Sequence, residues 1–151
     1  MGGEDLLALG SELLDSAADG RIKLYLTFRA LDLRRAHSQL FSDGDYLPLG
    51  VRGGKRRHVC AFARISGEDS VLVVAPRLTV GLTDSIQRPP IGLEVWDDTL
   101  LVLPRGCSGR QYRNLFTGEA LSVSEQAGVT GLPLAAVLAS FPVALLAQVT
   151  E

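Results

Sequence analysis

The sequence predicts an α+β chain that is mostly β: a helical hairpin, then an antiparallel β-sandwich or small barrel. Three observations predict this. A helical apolar period runs through residues 4–18 and 19–35. After Phe41, apolar runs recur about every 8–12 residues, separated by glycine-containing turns, as in sandwiches and barrels. The 151 residues are 46% hydrophobic with mean hydropathy +0.20, which suits one folded core rather than a disordered chain.

Residues 4–18 form the first predicted helix. Leu6, Leu9, Leu13 and Ala17 make a stripe, widened by Leu7 and Leu14. Glu4 and Asp5 suit the positive end of the helix dipole, and Asp19-Gly20 stops the helix. The second helix, residues 19–35, is apolar on two sides. Ile22, Tyr25, Leu26, Ala30, Leu33 and Ala36 gather on one face. Leu24, Phe28 and Leu31 gather roughly opposite, with Lys23, Thr27 and Arg34 between. Such a helix is normally covered twice. The β-rich remainder supplies one cover; the other is expected from outside this chain.

Residues 21–28 also alternate as a strand would, but the apolar pattern continues through Leu33 with good helix formers, which favours helix. Arg29 falls inside the first apolar arc. It is expected either to pair with Asp32, three residues on, or to sit solvated at a rim. The helix fades over residues 37–40.

The β region follows in order. Residues 42–45 turn, and residues 46–51 form a strand that Pro48 assigns to an edge. The basic turn RGGKRR (52–57) leads into a strand at 58–65, and residues 67–69 turn back. The β-branched run SVLVVAP (70–76) reads as a central strand. A loop at 81–90 precedes a strand at 93–103, broken at Asp97-Asp98. After a loop at 105–110, residues 110–116 and 119–123 flank Thr117-Gly118 as a hairpin. A helical turn at 132–139 and a strand at 141–149 finish the chain.

Composition narrows the function. A net charge of -2 and a pI near 5.7 give no footprint for nucleic acid or an acidic membrane. No apolar run reaches the roughly 18 residues of a membrane helix. The opening residues lack a basic start and a continuous apolar core, so a cytoplasmic location is expected. Cys60 and Cys107 stand without a C-x-x-C motif or a neighbouring histidine, the pattern of reduced thiols rather than metal ligands.

Each candidate for chemistry has a plainer reading. Asp97-Asp98 with Glu94, or Asp43 with Asp45, would supply an acid and a base only if they converged, and all lie at expected turns. His37 and His58 have no nucleophile elbow to serve. Gly50, Gly53 and Gly54 lack the Lys and Ser/Thr of a phosphate loop. Arg52, Lys55, Arg56, Arg57 and His58 read as a solvated basic turn. Trp96, Tyr46 and Tyr112 are the aromatics able to stack on sugars, with Trp96 expected in the core. No catalytic, cofactor-binding or metal-binding residue is assigned, and no cofactor is expected.

The order of segments carries more. DGRIKLYLTFRALDLRR, LFSDGDYLPL, HVCAFAR, VVAPRL, WDDTLLVLP, YRNLFTGE and LPLAAVLASFPVALL follow one another from about residue 6 to 146. Together they resemble the C-terminal end of maltooligosyltrehalose synthases, in the α-amylase superfamily of glycoside hydrolases. The resemblance implies that residues 1–40 match the last helices of a (β/α)8 barrel. Residues 41–151 would be the β-sandwich of the α-amylase C-terminal-domain type. It implies a parent isomerase that converts the reducing-end α-1,4 linkage of a maltooligosaccharide to α,α-1,1. The family's catalytic carboxylates lie on upstream barrel strands, and no position here matches them. The implied partner is that barrel, in cis or in trans, with maltooligosaccharide as the parent's substrate. Two rivals stand beside this reading: a carbohydrate-binding module with an aromatic platform, and a separate subunit docking on a barrel.

Overall fold

The structure, a computed structural model, describes residues 5–84, 88–104, 107 and 111–149. Expectations for Glu4, for residues 85–87 and for most of loop 105–110 lie outside them.

Helix α1 (Leu6–Asp15) is capped by Asp5, whose Oδ1 accepts the Ala8 backbone N–H at 3.0 Å. This satisfies one of the orphan amides of the first turn. A 3-10 turn (Ala17–Asp19) and Gly20, at φ +83°, separate α1 from α2 (Arg21–Ala36). The Asp19 carboxylate accepts the Arg21 backbone N–H at 2.9 Å and its Nε–H at 2.8 Å. Those two bonds, with the backbone one the larger effect, hold Asp19 below the usual carboxylate range. Helix α2 is continuous, so the strand-like alternation of residues 21–28 yields to the longer helical period. A short α3 (Ser38–Asp43) occupies part of the expected 42–45 turn. The chain turns instead at Gly44, where a β-carbon would stand 2.2 Å from the Leu40 carbonyl oxygen.

Among the described residues, ten strands form two antiparallel sheets. The six-stranded sheet has the order β1 (Asp45–Pro48), β3 (Val59–Ser66), β4 (Asp69–Pro76), β10 (Ala144–Gln148), β6 (Gln111–Asn114), β7 (Ala120–Ser122). The four-stranded sheet runs β2 (Val51–Arg52), β5 (Leu100–Val102), β9 (Val129–Pro133), β8 (Ser124–Gln126). The strand expected at 46–51 is therefore two strands. β1 lies at the edge of the larger sheet, Pro48 included, and β2 at the edge of the smaller. The segment between them joins the two sheets, with Leu49 N–H donating to the Ala61 carbonyl and Val102 N–H to that of Gly50.

The larger sheet is covered on both faces. Ala63, Leu72, Val74 and Leu146 share a core with Leu101, Leu132 and Trp96 on the side of the smaller sheet. Val71 and Leu145, one residue out of phase, share a second core with Leu33, Leu40, Phe116 and Phe141 on the helix side. Strand alternation sends neighbours to opposite faces. The unbroken apolar run of β4 is thus what a strand between two covers requires.

Several expected elements are corrected. Residues 93–103 are not one strand. Leu93–Trp96 form a helical turn, α5, followed by a turn through Asp97 at φ +52° and then β5. Val95 and Trp96 are both buried in one and the same core, which adjacent residues achieve at 100° per residue and not at the 180° of a strand. Of the helical turn expected at 132–139, Leu132 and Pro133 belong to β9 (Val129–Pro133) and only Leu134–Val137 are helical, α6. The last strand starts at Ala144, three residues late, because Phe141 turns into the helix-side core. A further short helix, α4 (Thr79–Thr83), reaches into the loop expected at 81–90.

Candidate functional site

Helix α2 is held to the sheet through one face and leaves the other bare. On the inner face Leu33 is buried and Ile22, Tyr25 and Leu26 pack into the helix-side core. Tyr25 Oη donates to the Phe116 carbonyl at 2.6 Å, and its ring lies about edge-on to Phe141 at 6.2 Å. Arg29 takes neither expected role. Its Nε–H and Nη2–H both donate to the Leu115 carbonyl, at 3.0 and 2.7 Å. Asp32 instead approaches Arg35, at 3.6 Å. A guanidinium fork thus satisfies a carbonyl of the β6–β7 connection. Sequence spacing gave no sign of it, because the partner is 86 residues away.

The outer face is Leu24, Phe28 and Leu31, exposed to 72%, 63% and 57%. The spacing i, i+4, i+7 lines them up as one apolar stripe. Alongside runs a groove of about 500 Å³ between α2 and the sheet. Leu26, Ala30 and Leu31 form its helix wall; Phe41, Val73 and Val143 are among the residues opposite. Arg34 stands at this groove and has no ion-pair partner among the described residues. Stripe and groove meet at Leu31. A contiguous apolar surface of this kind marks an interaction site more often than an accident of packing.

The acid candidates do not converge on a cleft. Asp97 and Asp98 are exposed on the turn after α5, Asp43 and Asp45 flank Gly44, and Glu94 pairs with Arg88 at 2.9 Å. His37 Nδ1 lies 3.1 Å from Asp69 Oδ2, and His58 Nδ1 3.3 Å from the Arg77 carbonyl. Neither histidine has a nucleophile in that contact. The basic residues from Arg52 to His58 surround a 3-10 turn (Arg56–His58). Among the described residues, no group of three or more His, Cys, Asp or Glu is arranged to hold a metal ion.

The aromatic candidates separate cleanly. Trp96 is fully buried, with Nε1–H donating to the Pro90 carbonyl at 2.8 Å. Tyr112 is fully buried too. Its Oη donates to the Cys107 carbonyl at 2.6 Å and lies 3.1 Å from Ser70 Oγ, which donates to Gln148 Oε1. Burial raises the Tyr112 phenol above its ordinary range, the Ser70 contact opposing it, and burial raises the Cys107 thiol. A buried thiol so raised is a poor nucleophile. Cys60 is a free thiol and exposed. Tyr46 alone is exposed, its ring 5.0 Å from that of Phe62.

Comparison with known proteins gives a consistent set of relatives. An 84-residue stretch, 56% of this chain, is 37% identical to proteins of two Mycobacterium tuberculosis strains that carry the name maltooligosyl trehalose synthase. The match covers 9% of each. A solved structure, a mutant of maltooligosyltrehalose synthase from Arthrobacter ramosus, aligns with 93% of this chain at TM-score 0.62 and 26% identity. That alignment covers 17% of the solved chain. No family model matches. The chain therefore spans a small fraction of the proteins it resembles.

Proposed function

We propose that this chain, which matches a partial region of maltooligosyltrehalose synthase in sequence and in fold, is the C-terminal accessory region of such an enzyme. In this reading the parent converts the reducing-end α-1,4 linkage of a maltooligosaccharide to α,α-1,1, as a step of trehalose biosynthesis. The catalytic carboxylates belong to a (β/α)8 barrel outside this chain. Residues 1–40 supply the last barrel helices and residues 41–151 a β-sandwich behind them. The role is structural: the chain covers and steadies the barrel. Free thiols at Cys60 and Cys107 suit a cytoplasmic site.

One observation carries the reading. Helix α2 buries Leu33 against its own sheet while presenting Leu24, Phe28 and Leu31 to solvent on the opposite side. Covering a large apolar side chain stabilises by about 1.5–3 kcal/mol, so three in a row favour a permanent neighbour. The carbohydrate-binding rival loses its best platform, since Trp96 and Tyr112 are both fully buried.

The test is association with a maltooligosyltrehalose synthase truncated to remove the region this chain matches. Wild-type chain is expected to co-elute with it. The triple variant Leu24→Glu, Phe28→Glu, Leu31→Glu is expected to keep its fold, because all three side chains are exposed, and to elute alone. Equal co-elution of both, or of neither, would sink the proposal.

A further inference from the structure

A second cleft, of about 840 Å³, lies between α1 and the segment from Arg88 to Ile91 and shares no lining residue with the groove beside α2. Both of its walls belong to this chain. Leu7, Leu14 and Ile22 stand on the helical side; Pro89, Pro90 and Pro142 stand opposite. Five polar residues line it as well: Ser11, Asp15, Thr79, Arg88 and Ser140. Apolar walls carrying a few placed polar groups are the make-up of small-molecule sites. Those polar groups are held from behind. Arg88 Nη2–H donates to Glu94 Oε2 at 2.9 Å, and Ser140 Oγ–H donates to Glu119 Oε1 at 3.2 Å. The rim is fixed too. The Pro90 carbonyl accepts the Nε1–H of the buried Trp96 at 2.8 Å, and the Gly92 amide donates to the Leu138 carbonyl at 2.9 Å. Such support preorganises a site before a ligand arrives.

Asp15 stands there at a cost. It is the last residue of α1, where the helix dipole disfavours a negative charge, and it has no ion-pair partner among the described residues. A carboxylate that opposes stability at the wall of a cleft is accounted for by a binding role. The chemistry selects the ligand. Asp15 accepts hydrogen bonds, Arg88 donates them, and the three hydroxyls do both. With Arg88 already paired to Glu94 and Asp15 unpaired, the cleft has no surplus positive charge to hold a phosphate. A sugar, with hydroxyls at its rim and C–H groups on its ring faces, meets the polar groups and the proline and leucine walls together. We infer that this cleft binds a neutral oligosaccharide and, on the accessory-region reading, a short maltooligosaccharide. It is then a non-catalytic holding site that raises the substrate's concentration at the enzyme. The identity of the sugar rests on that reading; the site itself rests on the cleft.

The experiment titrates the full isotope-labelled chain, with no synthase present, against maltohexaose and separately against trehalose, and follows amide and indole N–H signals by NMR. Trp96 is the single tryptophan, so its indole signal reports the rim to which it is bonded. Maltohexaose is expected to shift that signal and the Ser11 and Asp15 amides saturably. Ser11→Trp fills the cleft from an exposed position on α1. It is expected to weaken maltohexaose binding about tenfold or more while leaving the melting temperature unchanged. Asp15→Ala removes a charged acceptor and is expected to weaken binding about tenfold. The same change is expected to raise the melting temperature, because the helix end loses an unfavourable charge. A merely structural aspartate would not show that split.

No saturable shift with maltohexaose would overturn the inference and leave the accessory-region reading standing, since that reading is tested by co-elution. Binding unchanged by both Ser11→Trp and Asp15→Ala would place the sugar elsewhere on the chain and overturn the cleft as its site. Saturable binding of trehalose without maltohexaose would overturn the maltooligosaccharide as occupant.

Discussion

The buried hydroxyl of Tyr112 is a place where one atom matters. It donates to the Cys107 carbonyl and touches Ser70, which is itself buried and bonded to Gln148. Tyr112→Phe keeps the ring and strands those partners away from water. The expected cost is about 1–3 kcal/mol, read from urea unfolding followed by Trp96 fluorescence. Asp19 gives a pH signature. Its carboxyl is held below the unfolded-chain value by the Arg21 amide and guanidinium. Its contribution is therefore complete above about pH 4 and is lost as pH falls through the lower folded value. Asp19→Asn is expected to be less stable than wild type at pH 7, with the gap closing at acid pH in denaturation curves. The residue scale was partly legible. Trp96 reads as core from its apolar neighbours, but the Arg29 fork needs Leu115, which no local spacing announces.

At the scale of elements, legibility followed periodicity. Helix α2 and strand β4 carry long patterns, and both were readable; even the two-sided character of α2 was. The stretch around Trp96 was not, because Leu-Glu-Val-Trp fits a strand until Val95 and Trp96 are known to enter the same core. The hairpin β8–β9 was missed for a different reason. Its two-residue turn is Ala127-Gly128, both at positive φ, where an Asn-Gly or Asp-Gly pair is the usual signal. Its first strand, Ser-Glu-Gln, is exposed throughout and carries no apolar alternation. Strand β9 yields a sharp prediction. A β-carbon on Gly131 would stand 2.2 Å from the Leu101 backbone oxygen. Gly131→Ala is expected to destabilise by at least about 1–3 kcal/mol, since backbone must move to admit it; thermal melting checks this.

For the whole molecule, the order of strands in the two sheets is set by pairings between distant segments. β10 sits between β4 and β6, a placement that no local pattern reveals. What the sequence did reveal is that α2 is apolar on two sides, and the structure covers one of them. Exposure of Leu24, Phe28 and Leu31 is expected to make the isolated chain self-associate; light scattering against concentration checks this, and the triple Glu variant is expected to stay monodisperse. The most direct measurement of the central claim is turnover of maltohexaose, followed as loss of reducing ends. It is run with the chain alone, with a truncated synthase alone, and with both. No turnover is expected from the chain, little from the truncated synthase, and recovery in the mixture. Turnover by the chain alone, or a mixture no more active than the truncated synthase, would contradict that claim.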